Sequence, residues 1–375
     1  MIRPTYGLLL ASLLLLTSLL PGRCGSNPGA ATVLSVSTTH IIYNGRVFIP
    51  NGVQIVGLVA PADIIRGNFR TAREHFGRQE LLNALKWNAN TIRFQVSQPG
   101  LDPQSPLYSQ QYLADLKRGV QMARDLGFVV IVSVQDQHGA SGDSITHKMP
   151  TEATRRALHT LCSAFNSDGG VIYELFNEPA LRPSPDNWRL WKSGGIDPDG
   201  GDQIIGMQAL IHDVRGTGSH NLLIVEGLLW GGTFEGAPQI FDPDAKTVYG
   251  VHPYFGHSGF TPDGWNKTFG FLAVESKPVI CTEWCQPTPK QGQPTPPWFR
   301  GLSGKQLSHT PLMLLHYLEE RGIGIIGWAF DIPGTIVQDL DGTPTSFEAG
   351  NQPGGGPGAC LRAYFKRVNQ PLPTK

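Results

Sequence analysis

Eight short apolar runs, rich in valine and isoleucine, recur along this chain with helix-like stretches between them. They are Val53 to Val59, Thr91 to Val96, Phe128 to Gln135, Val171 to Phe176, Leu222 to Val225, Thr247 to Val251, Pro278 to Thr282 and Gly324 to Trp328. Runs of this kind lack the alternation of a half-exposed strand, so they suit strands covered on both faces, as in a parallel sheet. Helical spacing fills the intervals. Leu113, Leu116, Val120 and Ala123 form one stripe over Gln111 to Leu126, and Leu312, Leu315 and Leu318 another over Pro311 to Arg321. Most intervals hold a helix easily, and the shortest, from Leu222 to Thr247, does so narrowly. Eight strand-helix units predict an α/β chain folded as a (β/α)8 TIM barrel. Ahead of it, Asn44-Gly45 and Asn51-Gly52 read as turns, giving a short N-terminal β-hairpin that leads into the first core strand.

Residues 1–31 are read as an export signal: Arg3, then an apolar stretch from Gly7 to Leu20 closed by Pro21 and Gly22. The cut site is left open near Ala30 or Ala31. Residues 32–375 are read as one domain, because no low-complexity linker divides them. The expectation is a secreted, monomeric protein, with periplasmic or surface-anchored placement as alternatives and no membrane contact after signal removal. Four cysteines follow the signal, Cys162, Cys281, Cys285 and Cys360, an even number that predicts one or two disulfides in an oxidising compartment. The 30 basic and 30 acidic side chains cancel, which leaves no surplus of cations for a phosphate backbone and argues against nucleic acid as partner.

In a barrel, chemistry gathers at the C-terminal ends of the strands, so polar residues that interrupt the apolar runs there are the candidates. They are Arg93; Asp136-Gln137-His138; Asn177-Glu178-Pro179; His252-Pro253-Tyr254; Glu283-Trp284; and Trp328. The ordered set NTIRF, QDQHG, ELFNEP, VHPYF, ICTEW and IIGWAF, spread over Ile41 to Val368, resembles glycoside hydrolase family 5, the cellulase family. The resemblance implies a retaining hydrolase with Glu178 as acid/base and Glu283 as nucleophile, and carboxyl groups about 5–5.5 Å apart. It also implies that Arg93 and Tyr254 face Glu283 and keep it ionised, that Asn177 meets the sugar 2-hydroxyl, that His138 contacts a hydroxyl, that His252 lies near Glu178 and that Trp328 offers a face to the sugar.

The residues support that chemistry on their own terms. Glycoside hydrolysis needs one carboxyl group that protonates the leaving oxygen and a second that attacks or activates water. Burial and the charge of Glu283 are expected to raise the pKa of Glu178 so that it holds its proton. Trp230, Trp284 and Trp298 are further candidate sugar platforms, since sugar rings stack on aromatic faces. Glu174 is expected to be deeper and paired, Glu226 has no companion that makes it necessary, and Asp331, Asp339 and Asp341 read as a solvated loop. No metal or organic cofactor is expected. The substrate is read as cellulose-like β-1,4-glucan, with β-mannan as the rival and a non-catalytic carbohydrate-binding barrel as the alternative of another class.

Overall fold

A computed structural model describes residues 34–64, 72–135, 147–198, 200–286, 304–345, 357–370 and 372. The chain starts with an antiparallel sheet of β1 (Leu34–Ser37), β2 (His40–Tyr43) and β3 (Arg46–Phe48). Asn44 at φ 51° and Gly45 at φ 78° form the β2–β3 turn, both in the left-handed region that a tight hairpin of this hand demands. The expected hairpin is therefore present with one strand added. The β1–β2 turn gave no Asn-Gly signal because Thr38, at φ 46°, takes the positive φ instead.

The eight predicted runs become the eight staves of a closed barrel: β4 (Asn51–Ile55), β5 (Thr91–Ser97), β6 (Val129–Gln135), β7 (Val171–Glu174), β10 (Leu223–Glu226), β11 (Thr247–Val251), β12 (Val279–Trp284) and β13 (Gly324–Gly327). Between β7 and β10 a small antiparallel pair, β8 (Gly195–Ile196) and β9 (Gln203–Ile204), stands outside the barrel. All staves run parallel, and closure comes where β13 pairs with β4 and β10 with β7. Every residue of β5 and β6 is buried, which is why those runs lacked alternation. Asn51-Gly52 is the one misread turn. It lies inside β4, where a Cβ on Gly52 would sit 1.8 Å from the Thr91 carbonyl, so the glycine serves close strand approach rather than chain reversal.

Leu34 and Ile41 of the N-terminal sheet pack with Val129, Ile131, Ile172, Ile224, Ile280 and other inward stave residues, closing the barrel floor with apolar side chains. The helix Gln110–Asp125 buries Leu116, Val120 and Ala123 as expected, and its Ser109 hydroxyl caps it by accepting from the Tyr112 amide at 3.1 Å. Gly304–Glu319 begins before Pro311 and buries Leu315 and Leu318, while Leu312 points outward. The narrow interval between β10 and β11 holds no helix: residues 227–246 form a loop with an isolated bridge from Leu228 to Thr233. Among the described residues no helix is long and apolar enough to cross a membrane. Cys162, Cys281, Cys285 and Cys360 are all free thiols, three of them buried, so the expected disulfides do not form; these cysteines fill core positions as small apolar groups.

Candidate active site

Period-two alternation along the staves decides which polar groups enter the barrel mouth. On β5, Ile92, Phe94 and Val96 pack outward with the surrounding helices, while Arg93 and Gln95 point inward. Arg93 is fully buried, and its guanidinium joins five staves. Its Nε donates to Glu174 Oε2 at 2.6 Å, and one terminal nitrogen to Glu283 Oε2 at 2.9 Å and to Gln54. The other donates to Asn177 Oδ1 at 2.6 Å and Ser133 Oγ at 3.0 Å, and lies 3.4 Å from Glu226 Oε1. A planar fork with several donors suits this role better than a point charge.

Beyond β7 the backbone turns sharply. Asn177 is tied to β6 by a 2.8 Å bond from its amide to the Val134 carbonyl. Glu178 follows at φ 58°, an uncommon setting for a residue with a Cβ, and its amide donates to Glu226 Oε2 at 2.7 Å. From the end of β11, His252 Nδ1 lies 3.0 Å from Glu178 Oε1 and its Nε2 lies 3.1 Å from Glu226 Oε1. The Tyr254 hydroxyl donates to Glu283 Oε1 at 3.0 Å. Glu178 and Glu283 each place a carboxylate oxygen within 4.8 Å of the other and of a His252 ring nitrogen.

Burial, with the charge of Glu178 beside it, raises the Glu283 carboxyl above its ordinary value, against the pull of His252, Arg93 and Tyr254. Both expected partners of Glu283 are in contact, yet the net direction is upward. Arg93 divides its charge among three carboxylates, and desolvation outweighs the remaining share. Glu174 takes the largest part: although burial alone would raise it, Arg93 draws it down to about 2. Burial and the neighbouring Glu174 push Glu226 well above the carboxylate range. His252 is raised by Glu226 and Glu283 against the burial that lowers it, and Tyr254 is raised by burial and Glu283, so it remains a donor.

Among the described residues two sets, Glu174/Glu226/His252 and Glu178/His252/Glu283, bring ligand-type atoms within reach of one cation. In the first, the Arg93 guanidinium already occupies the centre of charge, and His252 faces a carboxylate with each ring nitrogen in both. The arrangement handles protons more readily than a metal, which would need a free lone pair on that imidazole.

The structure thus brings together Arg93, Asn177, Glu178, His252, Tyr254 and Glu283. Trp328 is half-buried beside them, its amide bonded to the Trp284 carbonyl at 2.9 Å. Trp230 is 37% exposed, with its ring stacked on His257 at 5.4 Å and 15°. Trp284 is 3% exposed and packed in the core, so it has no face for a sugar and belongs to the barrel wall. His138 and Trp298 lie outside the described residues. Asp331 is not solvated either: it is buried, accepts from the Val56 and Gly57 amides at 2.7–3.0 Å, and is pushed by burial up to about 7. Asp339 is a half-buried loop residue that accepts from the Thr343 amide at 3.0 Å, and Asp341 is exposed. Sequence reasoning missed Gln54, Gln95 and Ser133 and set Glu226 aside for want of a companion; each is a polar residue inside an apolar stave, and that interruption was the available signal.

A family model described as cellulase (glycosyl hydrolase family 5) matches residues 70–333, which span every site residue from Arg93 to Trp328. The chain belongs to glycosyl hydrolase family 5. Among solved structures, this family 5 member resembles the β-glucanase SdGluc5_26A from Saccharophagus degradans in complex with cellotetraose, with TM-score 0.65 and 19% identity over 91% of this chain and 95% of that one. The hyperthermophilic endocellulase of Pyrococcus horikoshii aligns with TM-score 0.60 and 18% identity, covering 90% and 98%. An endo-β-1,4-glucanase from Xanthomonas axonopodis pv. citri aligns with TM-score 0.55 and 19% identity, covering 78% and 91%. At these identities the likeness is one of fold. No curated protein matches the sequence.

Proposed function

We propose that the chain is a secreted, retaining endo-β-1,4-glucanase in which Glu283 is the nucleophile and Glu178 the acid/base. One observation carries this reading: a carboxylate oxygen of Glu178 and one of Glu283 lie within 4.8 Å across the barrel mouth. Inverting enzymes leave room for a water between carboxyl groups about 6.5–9.5 Å apart, whereas retaining ones hold them at about 5–5.5 Å. In the first step a Glu283 oxygen attacks the anomeric carbon, the glycosidic C–O bond breaks, and the Glu178 proton passes to the leaving oxygen. In the second, Glu178 takes a proton from water, whose oxygen attacks the same carbon and releases Glu283.

The supporting residues follow from their contacts. Arg93 and the Tyr254 hydroxyl hold Glu283 through one oxygen each and leave its attack direction fixed. Asn177 spends its Oδ1 on Arg93 and Gln95, and its buried Nδ2 finds no hydrogen-bond partner among the described residues, a donor suited to the sugar 2-hydroxyl. The family and the β-glucan activities named for the similar structures favour glucan over mannan. The Leu-rich run of residues 7–20 supports export. Reducing sugar released from β-1,4-glucan, β-mannan and xylan by one preparation tests the substrate; faster release from mannan than from glucan would reject it.

Trp230, exposed and stacked on His257, is placed here as a platform for a sugar away from the cleavage point. Trp230→Ala should weaken binding of longer cello-oligosaccharides by about 1 kcal/mol, roughly fivefold in KM, with kcat little changed. Steady-state kinetics on a chain-length series checks this, and an unchanged KM across the series would remove Trp230 from the site.

A further inference from the structure

Glu226 has no place in the two-step chemistry above, yet its side chain meets the Glu178 backbone, His252 and Arg93. It ends β10, which pairs with β7 on one side and β11 on the other, so it stands between the strand leading to Glu178 and the strand leading to His252. Its side chain is wholly buried. One oxygen accepts the Glu178 amide at 2.7 Å; the other accepts from Arg93 at 3.4 Å and lies 3.1 Å from His252 Nε2, within ion-pair reach but outside hydrogen-bond geometry. Two donors and one imidazole therefore converge on this carboxyl group from three staves.

Its surroundings fix it firmly. The Glu226 carbonyl accepts the Trp191 indole N–H at 2.7 Å. Gly231, at φ 70°, brings its loop so close that a Cβ there would lie 2.9 Å from Glu226 Oε2 and 3.2 Å from the His252 ring, and the Gly231 carbonyl accepts the His252 amide at 2.9 Å. A Cβ on Gly250 would lie 3.2 Å from Glu226 Cγ. Side chains with this much support hold neighbours in settings that would not persist alone, and Glu178 at φ 58° is such a setting.

The consequence reaches the reacting groups by two routes. Capture of the Glu178 amide fixes the backbone from which the acid/base side chain projects. The Glu226 carboxyl, 3.1 Å from His252 Nε2, gives that edge of the ring an acidic neighbour and so favours the orientation in which Nδ1 faces Glu178 Oε1 at 3.0 Å. We propose that Glu226 is the positioning residue of the acid/base: it locks the Glu178 backbone and holds the His252 imidazole with Nδ1 turned to the Glu178 carboxyl. This rests on the assignment of Glu178 as acid/base and adds to it a residue that touches no substrate. The charged and titratable groups that face the Glu226–His252 pair are Glu174 from β7, Arg93 from β5, Glu178 after β7, Glu283 from β12 and His257 after β11; of these the carboxylates favour a charged imidazole, and Arg93 and His257 oppose it.

The test uses the full chain with Glu226→Gln, which keeps an acceptor for the Glu178 amide but removes the ionisable carboxyl that His252 faces. Two substrates are compared: a cello-oligosaccharide, whose leaving sugar needs a proton, and a dinitrophenyl β-cellobioside, whose leaving group does not. The expected result is a loss in kcat on the order of 10²-fold with the oligosaccharide, a several-fold smaller loss with the dinitrophenyl glycoside, and little change in KM. In parallel, ¹⁵N signals of the His252 ring should move to a titration about 1–3 pH units lower than in the wild type. Equal losses on both substrates, or an unmoved His252 titration, would overturn the proposal, because a purely structural role predicts those. Should Glu226→Gln not fold, the wild-type signals decide: both His252 ring nitrogens should be protonated at pH 7, and titration at the ordinary value of 6.5 sinks the idea. Failure of the underlying assignment looks different, since Glu178→Ala would then retain turnover of the oligosaccharide while the His252 titration is unaffected.

Discussion

Glu283→Ala is expected to lower kcat on cello-oligosaccharides by on the order of 10⁴-fold or more while leaving their binding measurable. In the proposed role, Glu283 takes part only once the anomeric carbon is attacked, so its removal acts on the transition state and spares ground-state contacts with the rest of the sugar. The site should survive the change. Arg93 keeps Glu174 at 2.6 Å and Asn177 at 2.6 Å, and Tyr254 lies beside a void that water can enter. Calorimetric titration with cellotetraose reads the binding, and reducing-sugar release reads the turnover. Added azide sharpens the outcome: entering the vacated side, it should attack the anomeric carbon and yield a glycosyl azide of inverted configuration. A variant that keeps more than about a hundredth of wild-type turnover would remove Glu283 from the nucleophile role, since even a supporting contact can supply a factor of that size. A carbohydrate binder without turnover would instead show no hydrolysis in the wild type.

The barrel was legible because its staves are covered on both faces, and such strands announce themselves as unbroken Val/Ile runs. The ends blurred by up to four residues, as at β4, which starts at Asn51 and stops at Ile55. Local turn chemistry misled at Asn51-Gly52, where the glycine answers to the Thr91 carbonyl on the next stave, a partner 39 positions away that no local rule contains. The β10–β11 loop shows the same limit: a short interval allows a helix without requiring one. Polar breaks at stave ends marked Arg93, Asn177, Glu178, His252, Tyr254 and Glu283, all of which meet at the mouth. Glu226 was passed over because its three companions arrive from β5, β7 and β11, and only barrel closure brings them together. Burial was the hardest property to read. Trp284 and Asp331 stand at loop starts in the sequence, yet stave packing encloses both.

Arg93→Met should destabilise the fold by about 3–5 kcal/mol at pH 7, the range found when one partner of a buried ion pair is removed. The size follows from what the guanidinium neutralises: Glu174, Glu226 and Glu283 all lie within 3.4 Å of it, and no other Arg or Lys among the described residues is ion-paired to any of them. Methionine fills much of the volume but leaves those carboxylates in a low dielectric. The deficit should depend on pH with a definite sign. In the wild type the Glu174 carboxyl is depressed to about 2 from an ordinary 4.5, so its contribution is fully present above 4.5 and is lost as pH falls toward 2. In the variant, burial without the cation raises Glu174 instead, so its ionisation weakens the fold as pH rises above 4.5. The gap between the two proteins is therefore widest at neutral pH and narrows on acidification, which urea unfolding at pH 7 and pH 4 resolves. Arg93→Lys restores a charge but not the fork, and it should recover only part of the stability, because an ammonium cannot reach Glu174, Asn177 and Glu283 together. A deficit equal at both pH values would mean that lost packing, rather than buried carboxylates deprived of their guanidinium, makes this arginine indispensable.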